Sequence, residues 1–329
     1  MSAWHRHCRA AVGVWTVMAE IAARGVVIEP RRLTGVRPQW LRARWSAYGL
    51  LLPSFIVLML FTYGPVLQVV WDSLHLKRSL GAAPTFGGAQ NFEAVFADAA
   101  FRKALVNNVI YAIGTVGPSL VIALGLALAL ARSQRINNAL RAVYFLPALI
   151  PLIAAASLFL FVFLPNVGLL DFYLGRILVQ PPNWLGDPDV ALYSIMVLTV
   201  WKNAGYYMLF FLAGLQAIPD DAYEAAYLEG ATPWQRLRHI TLPYLKPSIA
   251  FVGVIALLNV VTQVDHVFVL TKGGPSDSTN LLLFYVYQQA VESYDIGKAA
   301  AATLISLGIL VAIAVLSLGT LERAFGGRG

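Results

Sequence analysis

Six long apolar stretches alternate with short polar segments along the 329-residue chain. They lie near residues 47–71, 105–131, 142–164, 190–217, 248–270 and 299–321. Each is long enough to cross the bilayer core as a helix, which takes about 20 residues. The runs are too long and too evenly apolar for the alternating strands of a membrane barrel. The pattern therefore predicts an all-α integral membrane protein with six spans.

The composition agrees with a membrane protein. Only 12% of the residues are charged, against about 25% in average soluble domains. The single cysteine, Cys8, excludes an internal disulfide. The formal charge of +7 is concentrated near the start, because eight of the 24 Lys and Arg residues lie in residues 1–45. No nucleic-acid motif accompanies them, so no nucleic-acid partner is expected.

Basic residues indicate how the chain crosses the membrane. With the N-terminus inside, 16 of them fall in cytoplasmic segments and seven in external loops, as the positive-inside rule requires. Six spans then return the C-terminus to the cytoplasm. Residues 1–45 are interpreted as a cytoplasmic extension, with an interfacial amphipathic helix as the alternative, and residues 46–329 as the six-span domain. The extension does not resemble a cleavable signal peptide, because Glu20 and Arg24 interrupt its apolar core.

Polar side chains inside the spans are candidates for a solute path, because a charge at the bilayer centre costs at least about 2.5–3.5 kcal/mol. Lys202 lies in span four, and Asp265 lies towards the end of span five, with Asn203, Asn259 and Gln263 as uncharged neighbours. One reading is that Lys202 snorkels to the surface and Asp265 lies near the interface. The other is that spans four and five share a polar path, where Lys202 pairs with Asp265 or meets an anionic ligand.

Several chemical classes leave no motif in the chain. It has no G-x-x-x-x-G-K-[ST] phosphate loop, no H-E-x-x-H and no paired cysteines, so neither ATP binding by that loop nor a resident metal is expected. The alternative of an integral-membrane enzyme would place its site at Asp220, Asp221 and Glu224. No further carboxylates stand at helical spacing to complete such a site.

A polar segment at about 218–246 separates spans four and five, and its first part predicts a short capped helix. Asp221, with Glu224 three residues later, has the spacing of a capping box with Asp as the N-cap. Gly230 follows the helical run EAAYLE, where a left-handed residue would end it.

A second helix start follows at once in the same segment. Thr232 is placed as the N-cap, Pro233 as the first helical residue and Gln235 as the third. We expect this helix to present Trp234 on its apolar face and to end at Leu242–Pro243. The segment is thus predicted to be two short helices that meet at a glycine.

The spacing E-A-A, three residues, Gly, nine residues, I-x-L-P resembles the signature of membrane subunits of bacterial binding-protein-dependent ABC importers. The residues that match it in register are Glu224, Ala225, Ala226, Gly230, Ile240, Leu242 and Pro243. The stretches WKNAGYYMLFFLAGLQAIPDD and VLTKGGPSDST are similar to the carbohydrate-uptake branch, which includes maltose and glycerol-3-phosphate permeases. The resemblance covers about residues 45–325.

The resemblance implies the fold and the partners. The fold is the six-helix type I ABC importer transmembrane domain, in the bacterial inner membrane. The partners are a second permease in a heterodimer, two ATPase subunits that hold ATP and Mg, and an extracytoplasmic solute-binding protein. Residues 218–246 become the coupling loop that docks on an ATPase. The residues implied in that coupling are Glu224, Ala225, Ala226, Gly230, Trp234 and Arg236.

The resemblance also implies a solute path for a sugar, an oligosaccharide or a related polyol. The residues placed along it are Lys202, Asn203, Tyr206, Asn259, Gln263 and Asp265. Lys202 stands where the maltose permease has an apolar residue, which favours an acidic ligand over a neutral one. A glycerol-3-phosphate or phosphodiester importer is therefore the nearest alternative. An exporter permease would lack the E-A-A loop.

Overall fold

The computed structural model describes residues 50–76, 83–131, 134–177 and 181–326. The predicted extension at residues 1–45 lies outside these ranges. The chain divides into two units, Met1–Thr62 and Tyr63–Gly329. In the first unit, the described residues 50–62 are helical.

The described residues are almost wholly helical. The helices are α1 (Leu50–Ser73), α2 (Gln90–Ala97), α3 (Ala99–Ala129), α4 (Arg135–Leu149), α5 (Leu152–Val162), α6 (Leu169–Leu174), α7 (Ala191–Gln216), α8 (Asp220–Leu228), α9 (Pro233–Thr262), α10 (Asp265–Leu270), α11 (Leu282–Tyr287) and α12 (Ile296–Gly326). Two short strands, β1 (His75–Leu76) and β2 (Thr85–Phe86), pair antiparallel.

Length and hydropathy mark the membrane spans. Five helices, α1, α3, α7, α9 and α12, are long and apolar enough to cross a membrane, and α4 with α5 makes a sixth if the bent pair is one span. Each predicted span overlaps one of these helices or the bent pair. The structure extends the second and sixth at their N-terminal ends, to Ala99 and Ile296. The all-α, six-span prediction is confirmed.

The third span is not the straight helix predicted for residues 142–164. It consists of α4 and α5, which meet at Ile150–Pro151 with a bend of 98°. Proline has no N–H to continue a helical ladder and disfavours helical backbone in the residue before it. Pro151 therefore ends α4 and starts a new direction for α5.

The fifth span also departs from its prediction. Helix α9 begins at Pro233 and runs through Pro243, so Leu242–Pro243 does not end it. Residues Leu237–Thr241 form a π-helical turn just before that proline, which widens the ladder where an N–H is missing. The helix stops instead at Thr262, Gln263 takes an extended backbone, and α10 follows as a separate helix.

Helix α7 is the centre of the bundle. In its most apolar window 61% of the residues are buried, against 33% or less in the other four candidate spans. One cluster packs Tyr111, Ile195 and Val267 from α3, α7 and α10. A second, towards the 218–246 loop, packs residues of α3, α7 and α9. These contacts fix α7 against the breaks in both discontinuous spans.

A third cluster forms the end of the bundle opposite the loop. The apolar segment LLLFYVYQQA is too short to span a bilayer, and it contains α11. Leu282 and Tyr285 are buried, however, against α2, α3 and α12. The Tyr285 hydroxyl donates a 2.8 Å hydrogen bond to Asp98, the N-cap residue of α3. This segment therefore belongs to the protein interior.

Candidate functional site

The first part of the 218–246 loop is helix α8, and its start differs from the prediction. The N-cap is Pro219, and no side chain caps the helix. Asp220 and Asp221 both lie in the first turn, where their charges favour the helix dipole. The proposed capping box of Asp221 with Glu224 is therefore wrong, because the helix begins two residues earlier than that box requires.

The end of α8 follows the prediction. Gly230 has φ of +74°, a conformation that L-residues with a Cβ rarely adopt. The Gly230 N–H donates to the Tyr227 carbonyl and the Ala231 N–H to the Ala226 carbonyl, the two bonds of a Schellman motif. The glycine turns the chain directly into the second helix.

The predicted start of the second helix in this loop is confirmed. The Thr232 hydroxyl accepts from the Gln235 N–H at 3.3 Å, and the Thr232 N–H donates to Gln235 Oε1 at 2.7 Å. This reciprocal capping box begins α9 at Pro233. A 2.9 Å hydrogen bond between the hydroxyls of Tyr223 and Thr241 joins α8 to α9. The loop is thus a braced pair of helices.

The loop is rich in polar residues, but several of its large apolar side chains are exposed. Trp234 is 67% exposed, Tyr227 73% and Leu228 86%. Glu224 and Ala225 are also exposed, whereas Ala226 is buried and Arg236 is half-buried. Among the described residues, buried Nε of Arg236 has no hydrogen-bond partner. Large exposed aromatic and aliphatic side chains grouped with a charge are typical of a protein-binding surface.

The polar residues predicted for the spans converge on one cavity of about 450 Å³. Five of the six candidates line it; they are Lys202, Asn203, Tyr206, Asn259 and Gln263. The remaining wall is residues Ala148 to Leu152, at the break between α4 and α5. Gln263 marks the break between α9 and α10. The cavity, called here the break cavity, therefore lies where two discontinuous spans face the central helix α7.

Lys202 is 8% exposed and turns towards the end of α4. Its Nζ donates to the carbonyls of Pro147, Ala148 and Ile150 at 3.2, 3.3 and 2.5 Å. Of the two readings of Lys202, snorkelling to the surface is therefore wrong. No ion pair joins Lys202 to Asp265 within the part of the chain that the structure describes.

Asp265 does not line the break cavity; it is exposed at the start of α10. Its neighbour His266 is fully buried instead. Asn259, Gln263 and His266 are spaced i, i+4 and i+7, so a straight helix through residues 248–270 would place His266, and not Asp265, on the face of Asn259. The break at Gln263 keeps His266 on the inner side.

His266 takes part in a buried hydrogen-bond chain that the sequence did not indicate. The Thr199 hydroxyl donates to the Ile195 carbonyl at 3.1 Å. The Tyr111 hydroxyl, 2.6 Å from Thr199, must then donate to it, and His266 Nε2–H donates to Tyr111 at 2.9 Å. This chain holds α10 to α3 and α7, directly behind the break cavity.

A larger groove of about 1150 Å³ lies elsewhere on α3, α4 and α7. Its walls are almost wholly apolar and aromatic, with Ile113, Tyr193 and Val197 among them. Such a surface suits lipid tails or another helix. A polyhydroxylated solute needs hydrogen-bonding groups, and among these two cavities only the break cavity concentrates them.

Comparison with known proteins places the chain among transport components. The family model of the binding-protein-dependent transport system inner membrane component matches residues 121–327. The trehalose/maltose transport permease MalF of Thermococcus litoralis is 32% identical over 279 residues, which cover 84% of this chain and 94% of the relative. The sn-glycerol-3-phosphate permease UgpA of Pectobacterium atrosepticum is 28% identical over 292 residues, covering 88% and 98%.

The fold has a counterpart among solved structures. A chain of a bacterial ABC transporter that imports the acidic polysaccharide alginate superposes with a TM-score of 0.74 at 22% identity. The match covers 88% of this chain and 99% of that chain. The type I importer transmembrane fold is thereby confirmed.

Proposed function

The chain belongs to the binding-protein-dependent transport system inner membrane components, and from that premise we propose that it passes a sugar, oligosaccharide or related polyol through the break cavity. It is a multi-pass permease subunit of an ABC importer and not an enzyme. The membrane-enzyme alternative at Asp220, Asp221 and Glu224 has no support, because those carboxylates lie on an exposed helical turn.

The break cavity is the observation that carries the proposal. Transporters place solute sites near the bilayer midplane, where discontinuous helices leave polar groups available. Here two breaks, at Ile150–Pro151 and at Gln263, border one cavity with three amide side chains and Tyr206. Amides offer both donors and acceptors to hydroxyl groups, and the tyrosine ring can stack on a sugar ring.

The loop at 218–246 supplies the second half of the proposal. Its exposed Tyr227, Leu228 and Trp234 form the surface that we assign to an ATPase partner, with Glu224 as the charged contact. The αL turn at Gly230 fixes the angle between α8 and α9. Because α9 runs without interruption to Thr262, a push on the loop moves the Asn259 side of the cavity as one body.

The proposed assembly follows the family. Two ATPase subunits bind ATP and Mg, a second permease completes a heterodimer, and an extracytoplasmic binding protein delivers the solute. We place the complex in the bacterial inner membrane with both termini in the cytoplasm. The 16 to seven division of basic residues supports that orientation.

A glycerol-3-phosphate or phosphodiester importer is the second candidate. Lys202 favours it, because a cation lines the cavity and no acidic side chain is paired with it in the described ranges. The role of this lysine therefore decides how strongly ligand charge matters.

Uptake by the reconstituted complex tests the proposed path. The permease, its partner permease, the ATPases and the binding protein are assembled in proteoliposomes, and ATP-driven uptake of the solute that copurifies with the binding protein is measured. Asn203→Leu and Asn259→Leu should each reduce uptake. Val197→Leu, in the apolar groove, is the matched control and should leave it unchanged. Equal uptake in all three variants would remove the break cavity from the path.

A further inference from the structure

The C-terminal end of α4 has an unusual problem inside the membrane. The last four carbonyls of any helix have no partner within it, and in a bilayer interior each unpaired group costs several kcal/mol. Pro151 prevents α4 from continuing, and the next helix leaves at 98°. The Ile150 N–H donates to the Pro147 carbonyl at 3.3 Å, and the other carbonyls at this end need donors from another element.

Lys202 of α7 provides these donors. Three carbonyls converge on its Nζ, from Pro147, Ala148 and Ile150. A lysine ammonium has three N–H donors, so this set of acceptors uses all of them. Its positive charge also lies at the negative end of the α4 dipole.

Gly205 permits this arrangement. It lies one turn after Lys202 on α7, and a Cβ built there would come within 1.8 Å of the Tyr144 carbonyl oxygen. The backbones of α4 and α7 therefore touch at this glycine. That close approach brings the end of α4 within hydrogen-bond distance of Lys202. The contact made by Lys202 therefore depends on Gly205.

We propose that Lys202 is a positioning residue, which caps the broken span from the neighbouring helix and holds the Ala148–Ile150 wall of the break cavity in place. Its ammonium is used within the protein, so the groups left for a solute are the uncharged ones of Asn203, Tyr206, Asn259 and Gln263. The charge of Lys202 is then not a reason to expect an anionic ligand. The capping role stands on its own geometry, and only its consequence for solute selection rests on the proposed function.

The angle between α4 and α5 tests the cap directly. Cysteines introduced at Ala139 and Phe161, both exposed, carry spin labels after the single native cysteine is removed by Cys8→Ser. The distance distribution between the labels is measured by pulsed electron paramagnetic resonance on the full-length permease in lipid nanodiscs, without solute. Lys202→Met should broaden and shift it, and Lys202→Arg, which keeps charged donors, should restore it in large part.

Two further variants make the result decisive. Lys246→Met removes an exposed lysine and should leave the distribution unchanged. If Lys202→Met does not accumulate in the membrane, Lys202→Gln, which keeps two N–H donors, should give an intermediate broadening. A distribution for Lys202→Met or Lys202→Gln that matches the parent protein would overturn the capping role. Because no solute is present, that outcome is independent of whether the break cavity carries solute.

Discussion

The 218–246 loop and the break cavity differ in the distance along the chain over which they are built. In the loop, Thr232 and Gln235 cap one helix from three positions apart. In the cavity, Lys202 reaches carbonyls 52 to 55 positions away, and Asn259 donates to the Tyr207 hydroxyl across 52 positions. The loop keeps its shape by itself, whereas the cavity exists only when several spans are packed.

Exposure divides the two regions in the same way. The loop turns Trp234 and Leu228 outward, which suits a surface that another protein grips. The cavity instead keeps Lys202 and Asn203 at 8% exposure. Changes in the loop should therefore uncouple ATP hydrolysis from transport, and changes in the cavity should weaken transport through the solute path itself.

The largest effect should come from the loop. Gly230→Pro combined with Glu224→Ala forces φ from +74° to about −65° and removes the N–H bonded to Tyr227. We expect uptake to be lost while the permease still assembles in the membrane and the ATPases still hydrolyse ATP. Simultaneous assays of hydrolysis and uptake check this, with Gly308→Ala in an open helical position as the control. Uptake at the parental rate would contradict the coupling role.

A second change attacks the packing behind the cavity. Gly205→Ala places a methyl group against the Tyr144 carbonyl, and such overpacking typically costs about 1–3 kcal/mol. We expect a lower melting temperature of the purified permease and less uptake. Gly253→Ala, which meets no atom within 4 Å, should leave both unchanged. A Gly205→Ala protein as stable as the parent would show that α4 and α7 are not in close contact.

The cavity side chains should have smaller effects than the loop. Removing one hydrogen bond to a solute costs about 0.5–1.5 kcal/mol, or roughly two- to tenfold in uptake. Asn203→Leu should show this loss, with ATP hydrolysis by the complex retained. A variant that loses hydrolysis together with uptake would mean that the cavity residue acts on assembly instead.

An effect of pH is expected far from both regions. Burial raises the pKa of Asp98, but hydrogen bonds from Lys298, Tyr285 and the Ala100 N–H outweigh it and lower the pKa below 3.8. A carboxyl group whose pKa is lower in the folded than in the unfolded state stabilises the fold at pH values above its unfolded pKa. That stabilisation is lost as the pH falls through the folded pKa. At pH values below about 4 the melting temperature of the protein should therefore decrease. In Asp98→Asn this decrease should be smaller. An unchanged acid profile in Asp98→Asn would exclude this carboxylate as the cause.

The smallest effect should come from the cap of α9. Thr232→Ala removes one half of the capping box, and losses of this kind cost about 1 kcal/mol. Hydrogen exchange at residues 233–236 should become faster, with uptake reduced only slightly. Thr303→Ala, far from the loop, serves as the control. Exchange rates that do not change would show that packing, not the cap, holds the start of α9.

Local contacts explain why the sequence predicted the loop better than the cavity. Gly230 and the Thr232 box follow from neighbours along the chain, so their spacing alone indicated them. The cap of α8 was misplaced because Pro219 is the N-cap, two residues before the expected Asp221. Local spacing thus predicts helix ends well, except where a proline changes the first residue.

The cavity was predicted only in part, for a physical reason. Polar side chains in apolar spans pointed to Asn203, Asn259 and Gln263, which do meet. The carbonyls that Lys202 binds belong to Pro147, Ala148 and Ile150, and carbonyls leave no side-chain signal. His266, seven residues after Asn259, has the helical spacing for the inward position that Asp265 lacks, a signal that the choice of Asp265 overlooked. Two closely spaced prolines, Pro147 and Pro151, were the one signal for the break in span three.

Solute protection of a cavity cysteine tests the central claim most directly. In a Cys8→Ser background, Gln263→Cys and Val197→Cys place single thiols in the break cavity and in the apolar groove. Labelling by a charged, membrane-impermeant thiol reagent is followed in the complete complex, with and without the solute-loaded binding protein and ATP. We predict that Gln263→Cys is labelled and that solute slows the reaction, whereas Val197→Cys stays unreactive. A Gln263→Cys thiol that is never labelled, or whose labelling ignores the solute, would contradict a path through the break cavity.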